Sequence, residues 1–442
     1  MDHWLNMTAA DLGRGIAAGE IDPVDLTRTY LDAIDAHPMR DRIYTVVTHD
    51  RAMAEARAAS ERAKLGLRLS PLDGVPISWK DLFDSAGVAT ESGSDLLKGR
   101  VPDHDALVLR TATQMGLVCL GKTHMSELAF SGLGLNPVKQ TPPCINDSEA
   151  APGGSSSGAG ASVAFNLAAC GIGSDTGGSV RIPSAWNDLV GLKTTAGRIS
   201  LEGVVPLCLK FDTVGPLARS VEDAALMLGA LEGHEGPDLR GASLQGKRFA
   251  SLQTVALDDV RDIPQQAHDA ALQRLQDAGA EIVPLEVPEL AEAMELSPIL
   301  FTSEAYGLWK DAVEAAPHLM FDRILERFRS GAQFTAADYV AAWARLERCR
   351  GAWDRAVAGF DGVLLPTAPI LPPNVERLLT DDAYYVTENL LALRNTRIGN
   401  LMGVCGLSLP TGTPSCGLQI LCPPDTEEAL LRVGVAVEKA LA

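Results

Sequence analysis

The run from Ala151 to Pro183 restricts the possible folds of this chain more than any other stretch. It reads Ala-Pro-Gly-Gly-Ser-Ser-Ser-Gly-Ala-Gly-Ala-Ser-Val-Ala, then an apolar segment, then Gly-Ser-Asp-Thr-Gly-Gly-Ser-Val-Arg-Ile-Pro. Eight glycines fall between 153 and 178, where the chain-wide frequency of 41 in 442 would place two or three. Glycine at that density costs backbone entropy, so it marks tight turns or backbone packed closely against other chain. Between the two clusters Ala159, Val163, Ala164, Leu167 and Ala168 recur at helical spacing, and Ala168 to Ile172 is short and apolar enough for a buried strand. The local order is loop, helix, strand, loop, with a serine in each loop.

Those serines are Ser155 and Ser179, each preceded by Gly-Gly. Backbone N–H groups that run up to a serine suit a developing oxyanion beside its own nucleophile. The same loop is also compatible with a phosphate site or a plain turn. A serine nucleophile needs a base, and the eight histidines (3, 37, 49, 104, 124, 234, 268 and 318) are scattered. Pro71 to Asp84 offers another candidate: Val75, Ile77 and Trp79 alternate with Pro76 and Ser78 as in a short strand ending at Lys80. A lysine among apolar neighbours sheds its charge near neutral pH and serves as a base, whereas a solvated or ion-paired lysine does not.

Taken together, these residues resemble the amidase signature hydrolases. That family carries a Gly-Gly-Ser-Ser-(Ser/Gly)-Gly loop followed 24 residues later by Asp-(Thr/Ile)-Gly-Gly-Ser-(Val/Ile)-Arg-x-Pro, and here 179 minus 155 is 24. Gly191-Leu192-Lys193-Thr194-Thr195 is similar to the family's next motif. Further markers are Gly74-Val75-Pro76, Gly121-Lys122-Thr123, Phe211 to Pro216, Leu364 to Pro369 and Gly417 to Ile420. The resemblance covers most of the chain.

The resemblance implies that Ser179 forms the acyl-enzyme, with the N–H groups of Thr176, Gly177, Gly178 and Ser179 as its oxyanion hole. It implies a cis peptide bond before Ser155, a proton relay through Ser155 to Lys80, and no metal or other cofactor. Met125 to Gly134 corresponds to a loop bordering the site, so Ser131 and Gly132 are candidate substrate contacts. The implied fold is α/β: a single domain over residues 1–442 with a mixed twisted β-sheet covered by helices on both faces. Its signature core spans about 70–230, and a variable, mainly helical region at about 290–360 supplies a pocket wall. The family also contains the glutaminase component of tRNA-dependent amidotransferases, but the Tyr-Asp-Gly-Val-Arg-Tyr-Gly stretch associated with that component is absent. A stand-alone enzyme acting on a small amide, aryl amide or carbamate is the expectation.

Competing patterns are weaker. Gly154 to Gly158 satisfies Gly-x-Ser-x-Gly, which would make Ser156 the nucleophile, but Asn146 to Gly153 is polar and contains proline where that elbow needs a strand. No lysine has serine three residues before it, so the Ser-x-x-Lys class does not apply. His124 and Glu127 would share a helical face, but two ligands make a poor metal site. The eight cysteines lack Cys-x-x-Cys or finger-like spacing and read as reduced thiols.

The chain is 46% hydrophobic, long enough for a large core, and its net charge of −19 repels polyanions, so nucleic acid is not an expected partner. With no basic-then-apolar start and no run of membrane-spanning length, a cytoplasmic monomer or homodimer is expected. Thr8 with Asp11 resembles a capping box, Asp22-Pro23 starts a helix, and another covers Ala52 to Lys64. A helix leads from Asp105 into the strand Leu117 to Leu120. Ala267 to Ala278 and Glu281 to Leu285 form an αβ unit, and Gly362 to Leu365 is a buried strand. Further elements are expected at Asn395 to Gly406 and Gly417 to Cys422. The aromatics Phe301, Tyr306, Trp309, Phe321, Phe328, Phe334 and Trp343 read as helix packing, and the unusual Thr141 to Glu149 segment is expected to reshape the pocket mouth.

Overall fold

The structure is a computed structural model that describes residues 2–442. Eleven strands form one sheet: β1 Tyr44–Val47, β2 Pro76–Lys80, β3 Val118–Thr123, β4 Cys170–Ser174, β5 Val190–Lys193, β6 Val214–Ala218, β7 Arg248–Leu252, β8 Glu281–Leu285, β9 Gly362–Pro366, β10 Cys405–Pro410 and β11 Gly417–Cys422. Their order is β1-β3-β2-β4-β6-β5-β10-β11-β9-β7-β8. The sheet is mixed: β2 runs parallel to β3 and β4, and β7 to β8 and β9, while the remaining pairs are antiparallel. Every residue of β2, β3, β4, β5, β6 and β9 is buried. Successive side chains point to opposite faces, so helices must cover both. The half-exposed β1 and β8 close the two edges.

Hydrophobic periodicity forecast most elements, and where it erred a tertiary contact intervened. The helix of the glycine-serine stretch is Ser157–Ala164, four residues shorter than the apolar spacing suggests, and the strand after it starts at Cys170. Asn166 turns the chain with φ +61, and the Arg219 guanidinium donates to the carbonyls of Val163, Ala168 and Ala169 and to Asn166 Oδ1. One cation thus satisfies carbonyls that a longer helix would have used itself.

His124 and Glu127 do not share a helical face. Glu127–Ala129 is a single 3-10 turn, with φ +46 at Leu128 and +60 at Ala129. The Glu127 carboxyl is held by Ser94 Oγ at 2.7 Å and Phe321 N at 2.9 Å, and burial pushes it up to about 7. Asn395 is no element start either: the Asp382–Met402 helix begins well before it. Thr8 Oγ1 accepts from the Asp11 amide as expected, while the reciprocal capping box forms at Thr335 and Asp338. Thr141 to Glu149 packs on the end of the Arg181–Trp186 helix, Cys144 Sγ donating to Trp186 O at 3.3 Å and Ile145 N to Asn187 Oδ1 at 3.0 Å. It lines neither cavity described below, so it does not form the pocket mouth.

Candidate active site

β2 and β4 lie side by side and parallel, so Lys80 and Ser174 end adjacent strands at the same edge. In parallel sheets that carboxyl edge is where ligands bind, because the strands stop and loops take over. Lys80 Nζ lies 2.7 Å from Ser155 Oγ and 2.8 Å from Ser174 Oγ. No carboxylate among the described residues lies within 4 Å of it, and it is fully buried. Burial lowers its pKa from 10.5 to about 7, against the opposing charges of Asp175 and Asp212. An amine in that state is divided between charged and neutral forms at neutral pH.

Ser155 follows a cis peptide bond and is completely buried. The Ser156 N–H donates to Ser179 O at 3.3 Å, which seats the second loop against the first. Ser156 Oγ itself donates to Ser174 O at 3.1 Å and is buried, so it reaches no cavity. The Ser179 hydroxyl has no hydrogen-bond partner among the described residues and faces a narrow chamber of about 30 Å³. Lys80 and Ser155 are therefore already bonded, while no hydrogen bond joins the Ser155 and Ser179 hydroxyls among the described residues.

The loop between β4 and the Arg181–Trp186 helix is fastened by Asp175. Its carboxylate accepts from Gly178 N (2.8 Å), Val180 N (3.1 Å), Arg181 Nε (3.0 Å), Arg181 Nη2 (2.8 Å) and Asn400 Nδ2 (2.9 Å). Burial by itself would raise this carboxyl, but the Arg181 guanidinium outweighs that and holds it well below the usual carboxylate range. Thr176 Oγ1 donates to Asp212 Oδ1 at 2.5 Å, and Thr396 Oγ1 donates to Gly177 O at 2.8 Å. The amides of Thr176, Gly177 and Ser179 are left without a protein acceptor among the described residues. Gly178 departs from the sequence expectation, because Asp175 takes its N–H. Its glycine is needed for shape: φ is +136, and an added Cβ would sit 2.0 Å from Thr396 Oγ1.

Ser131 lines the chamber with Thr176, Gly177 and Ser179. Gly132 does not; its N–H donates to Asn389 Oδ1 at 3.0 Å, and an added Cβ would meet Leu393 at 2.7 Å, so it backs the wall. Phe301, Arg327 and Arg397 line both this chamber and a larger cavity of about 670 Å³ beyond it. Phe301 and Phe321 thus face cavities, contrary to the packing expectation, although Phe301 also stacks on Phe211 at 4.4 Å. Phe328 and Trp343 pack as expected, against Phe130 and Phe211.

The sequence family profile described as Amidase matches residues 25–431. The chain belongs to the amidase family. It is 35% identical to the 2-amino-5-chloromuconic acid deaminase of Comamonas testosteroni, over 98% of this chain and 96% of that protein. It is 30% identical to a glutamyl-tRNA(Gln) amidotransferase component from Chloroflexus aggregans, over 99% and 96%. A crystal structure of an amidase superposes with a TM-score of 0.87 at 28% identity, covering 99% of this chain and all of that one. As a member of the amidase family, the chain is a hydrolase of C–N bonds in small molecules. No helix among the described residues is long and apolar enough to cross a membrane.

Within this amidase-family site, sequence reasoning missed Ser174, Asp212, Asn389, Thr396, Arg327 and Arg397. Ser174 and Asp175 were legible in principle, since they adjoin the glycine loop. Asp212 lies in the Phe211 to Pro216 marker, and the others come from distant segments and carry no local signal.

Proposed function

We propose that Ser179 is the nucleophile of a serine amidase, with Ser155 as proton relay and Lys80 as the base. The observation that supports this reading best is the 2.7 Å contact between Lys80 and Ser155, in a buried spot where Asp175 and Asp212 act on the amine only from beyond ion-pair distance. A lysine ion-paired to a carboxylate would stay protonated and could not accept; this one has only hydroxyl partners. As Ser179 Oγ bonds to the carbonyl carbon, its proton passes to Ser155 Oγ while the Ser155 proton passes to Lys80 Nζ. The carbonyl oxygen becomes an oxyanion, received by the free amides of Thr176, Gly177 and Ser179, with Gly178 holding the loop's shape. Collapse breaks the C–N bond, and the leaving nitrogen takes the proton back through the same hydroxyl. Water then attacks the ester by the reverse relay, giving the carboxylic acid and free Ser179.

Hydrogen bonds of a relay tighten on substrate binding, so the unformed Ser155 to Ser179 link is compatible with this role. The expected substrates are small linear amides, hydrolysed without a cofactor, with carbamates and aryl amides as further members of the class. Ser131 is the proposed wall contact. Both relatives' names describe work on nitrogen groups, one a deaminase and the other part of an amidotransferase. The missing signature stretch of the amidotransferase component favours stand-alone hydrolysis here. Reaction with phenylmethylsulfonyl fluoride followed by peptide mass analysis tests the nucleophile. An adduct confined to Ser179 and absent from Ser179→Ala is expected, and a reactive protein with unlabelled Ser179 overturns the assignment.

A further inference from the structure

We propose that Arg327 and Arg397 form a carboxylate-binding subsite beside Ser179, so that the substrates are amides carrying a second, free carboxylate a few bonds from the scissile carbonyl. This rests on the proposed chemistry and names its substrate class.

Both arginines line the chamber of about 30 Å³ that holds Ser179, Thr176 and Gly177. Arg327 comes from the Asp322–Arg329 helix and Arg397 from the Asp382–Met402 helix. Neither has a carboxylate partner among the described residues, although the chain has 57 acidic residues against 38 basic ones. Arg397 is 9% exposed, and its guanidinium makes a single hydrogen bond among the described residues, to Ser297 Oγ at 3.3 Å. Arg327 donates to Phe130 O at 3.1 Å and lies over the Phe130 ring at 4.5 Å, which fixes its plane. Most N–H donors of both forks are unspent. Burial and the like charge of Arg327 lower the Arg397 pKa from 12.5 to about 9, still charged at neutral pH.

Two like charges lining one narrow chamber, one of them buried and neither with a counter-charge, are costly, and that cost falls when an anion enters between them. A guanidinium fork matches a carboxylate in bidentate geometry. The acids of the outer cavity do not serve: Asp322 and Glu326 are exposed, and Asp382 pairs with Arg323 at 2.5 Å. The tightness of the chamber sets the reach, because an anion held by the arginines there is only a few atoms from Ser179.

The test compares succinamate with its methyl ester, which differ in the free carboxylate alone, and measures succinate binding to Ser179→Ala protein by calorimetry. The wild-type kcat/KM ratio of acid to ester is expected to exceed about ten, mainly through KM, and to fall roughly tenfold or more in Arg327→Gln and in Arg397→Gln. Succinate binding to Ser179→Ala should weaken by a similar factor when either substitution is added. Arg327 is only partly buried, so its variant keeps the test open if Arg397→Gln misfolds; the wild-type ratio needs no variant. Amide turnover with Ser179 labelled and a ratio at or below one overturns the subsite and leaves the chemistry standing. Succinate binding lost in Arg327→Gln, with Ser179 unlabelled and no amide turned over, overturns the chemistry and leaves the subsite standing.

Discussion

Arg181 grips Asp175 through two of its nitrogens, at 3.0 and 2.8 Å, with both side chains completely buried. The pair joins the Asp175–Ser179 loop to the helix that follows it and, through Asn400, to the Asp382–Met402 helix. Removing one partner strands the other's charge in the core. Asp175→Ala is expected to cost about 3–5 kcal/mol in urea unfolding, and loss of activity should accompany it because Gly178 and Val180 lose their acceptor.

The same carboxylate predicts an acid limit. Its folded pKa lies below the ordinary 3.8, so its stability contribution is complete above about pH 4 and is lost as pH falls from there toward the folded value. Urea midpoints between pH 6 and pH 2 should drop below pH 4. Much of that drop should be missing when Asp175 and Arg181 are replaced together by apolar residues, provided the double variant folds.

Lys80 gives the opposite sign. With a folded value of about 7 against 10.5 unfolded, the folded state binds fewer protons between those limits, so stability rises with pH across that window and the burial penalty is greatest below pH 7. Lys80→Met is expected to abolish most turnover at pH 7 while raising stability by on the order of a few kcal/mol below that pH. Wild-type kcat/KM should climb with pH and level off above an inflection near 7. A lower unfolding midpoint at pH 6 in Lys80→Met would contradict the neutral-lysine assignment.

Ser174 Oγ accepts from Lys80 at 2.8 Å and so favours the charged amine. In Ser174→Ala the inflection of the pH–rate profile should move to lower pH, with KM little changed and kcat reduced by about tenfold or less. An inflection that stays in place would mean the serine is only packing.

Gly177 and Gly178 adjoin but differ in tolerance. A Cβ at Gly177 meets only Leu393 at 3.7 Å, whereas at Gly178 it collides with Thr396 and demands a φ of +136. Gly178→Ala is expected to lower stability by about 2–4 kcal/mol and Gly177→Ala by less than about 1 kcal/mol, read from thermal unfolding.

Much of the candidate site's geometry was legible in the chain because it is local. Backbone that must turn sharply and approach other backbone needs glycine, and a serine after each glycine pair marks where that backbone is used. The strand ending at Lys80, with apolar residues at Val75, Ile77 and Trp79, also announced a lysine with a dry environment. Pattern failed where a side chain's fold-dependent placement decided the outcome: Arg219, more than fifty residues on, capped the helix at Ala164, and Asp175, within the loop itself, took the Gly178 amide.

The sequence alone determined an α/β chain with two glycine-serine loops and a lysine at a strand end, since these follow from short-range steric and hydrophobic preferences. The tertiary structure alone decided what surrounds Ser179. Arg327 and Arg397 stand seventy residues apart on two helices, and Asn389 and Thr396 reach two loops, at Gly132 and Gly177, more than two hundred residues earlier. Such meetings depend on strand order and helix packing, where many weak contacts settle the geometry together and no single segment carries the information.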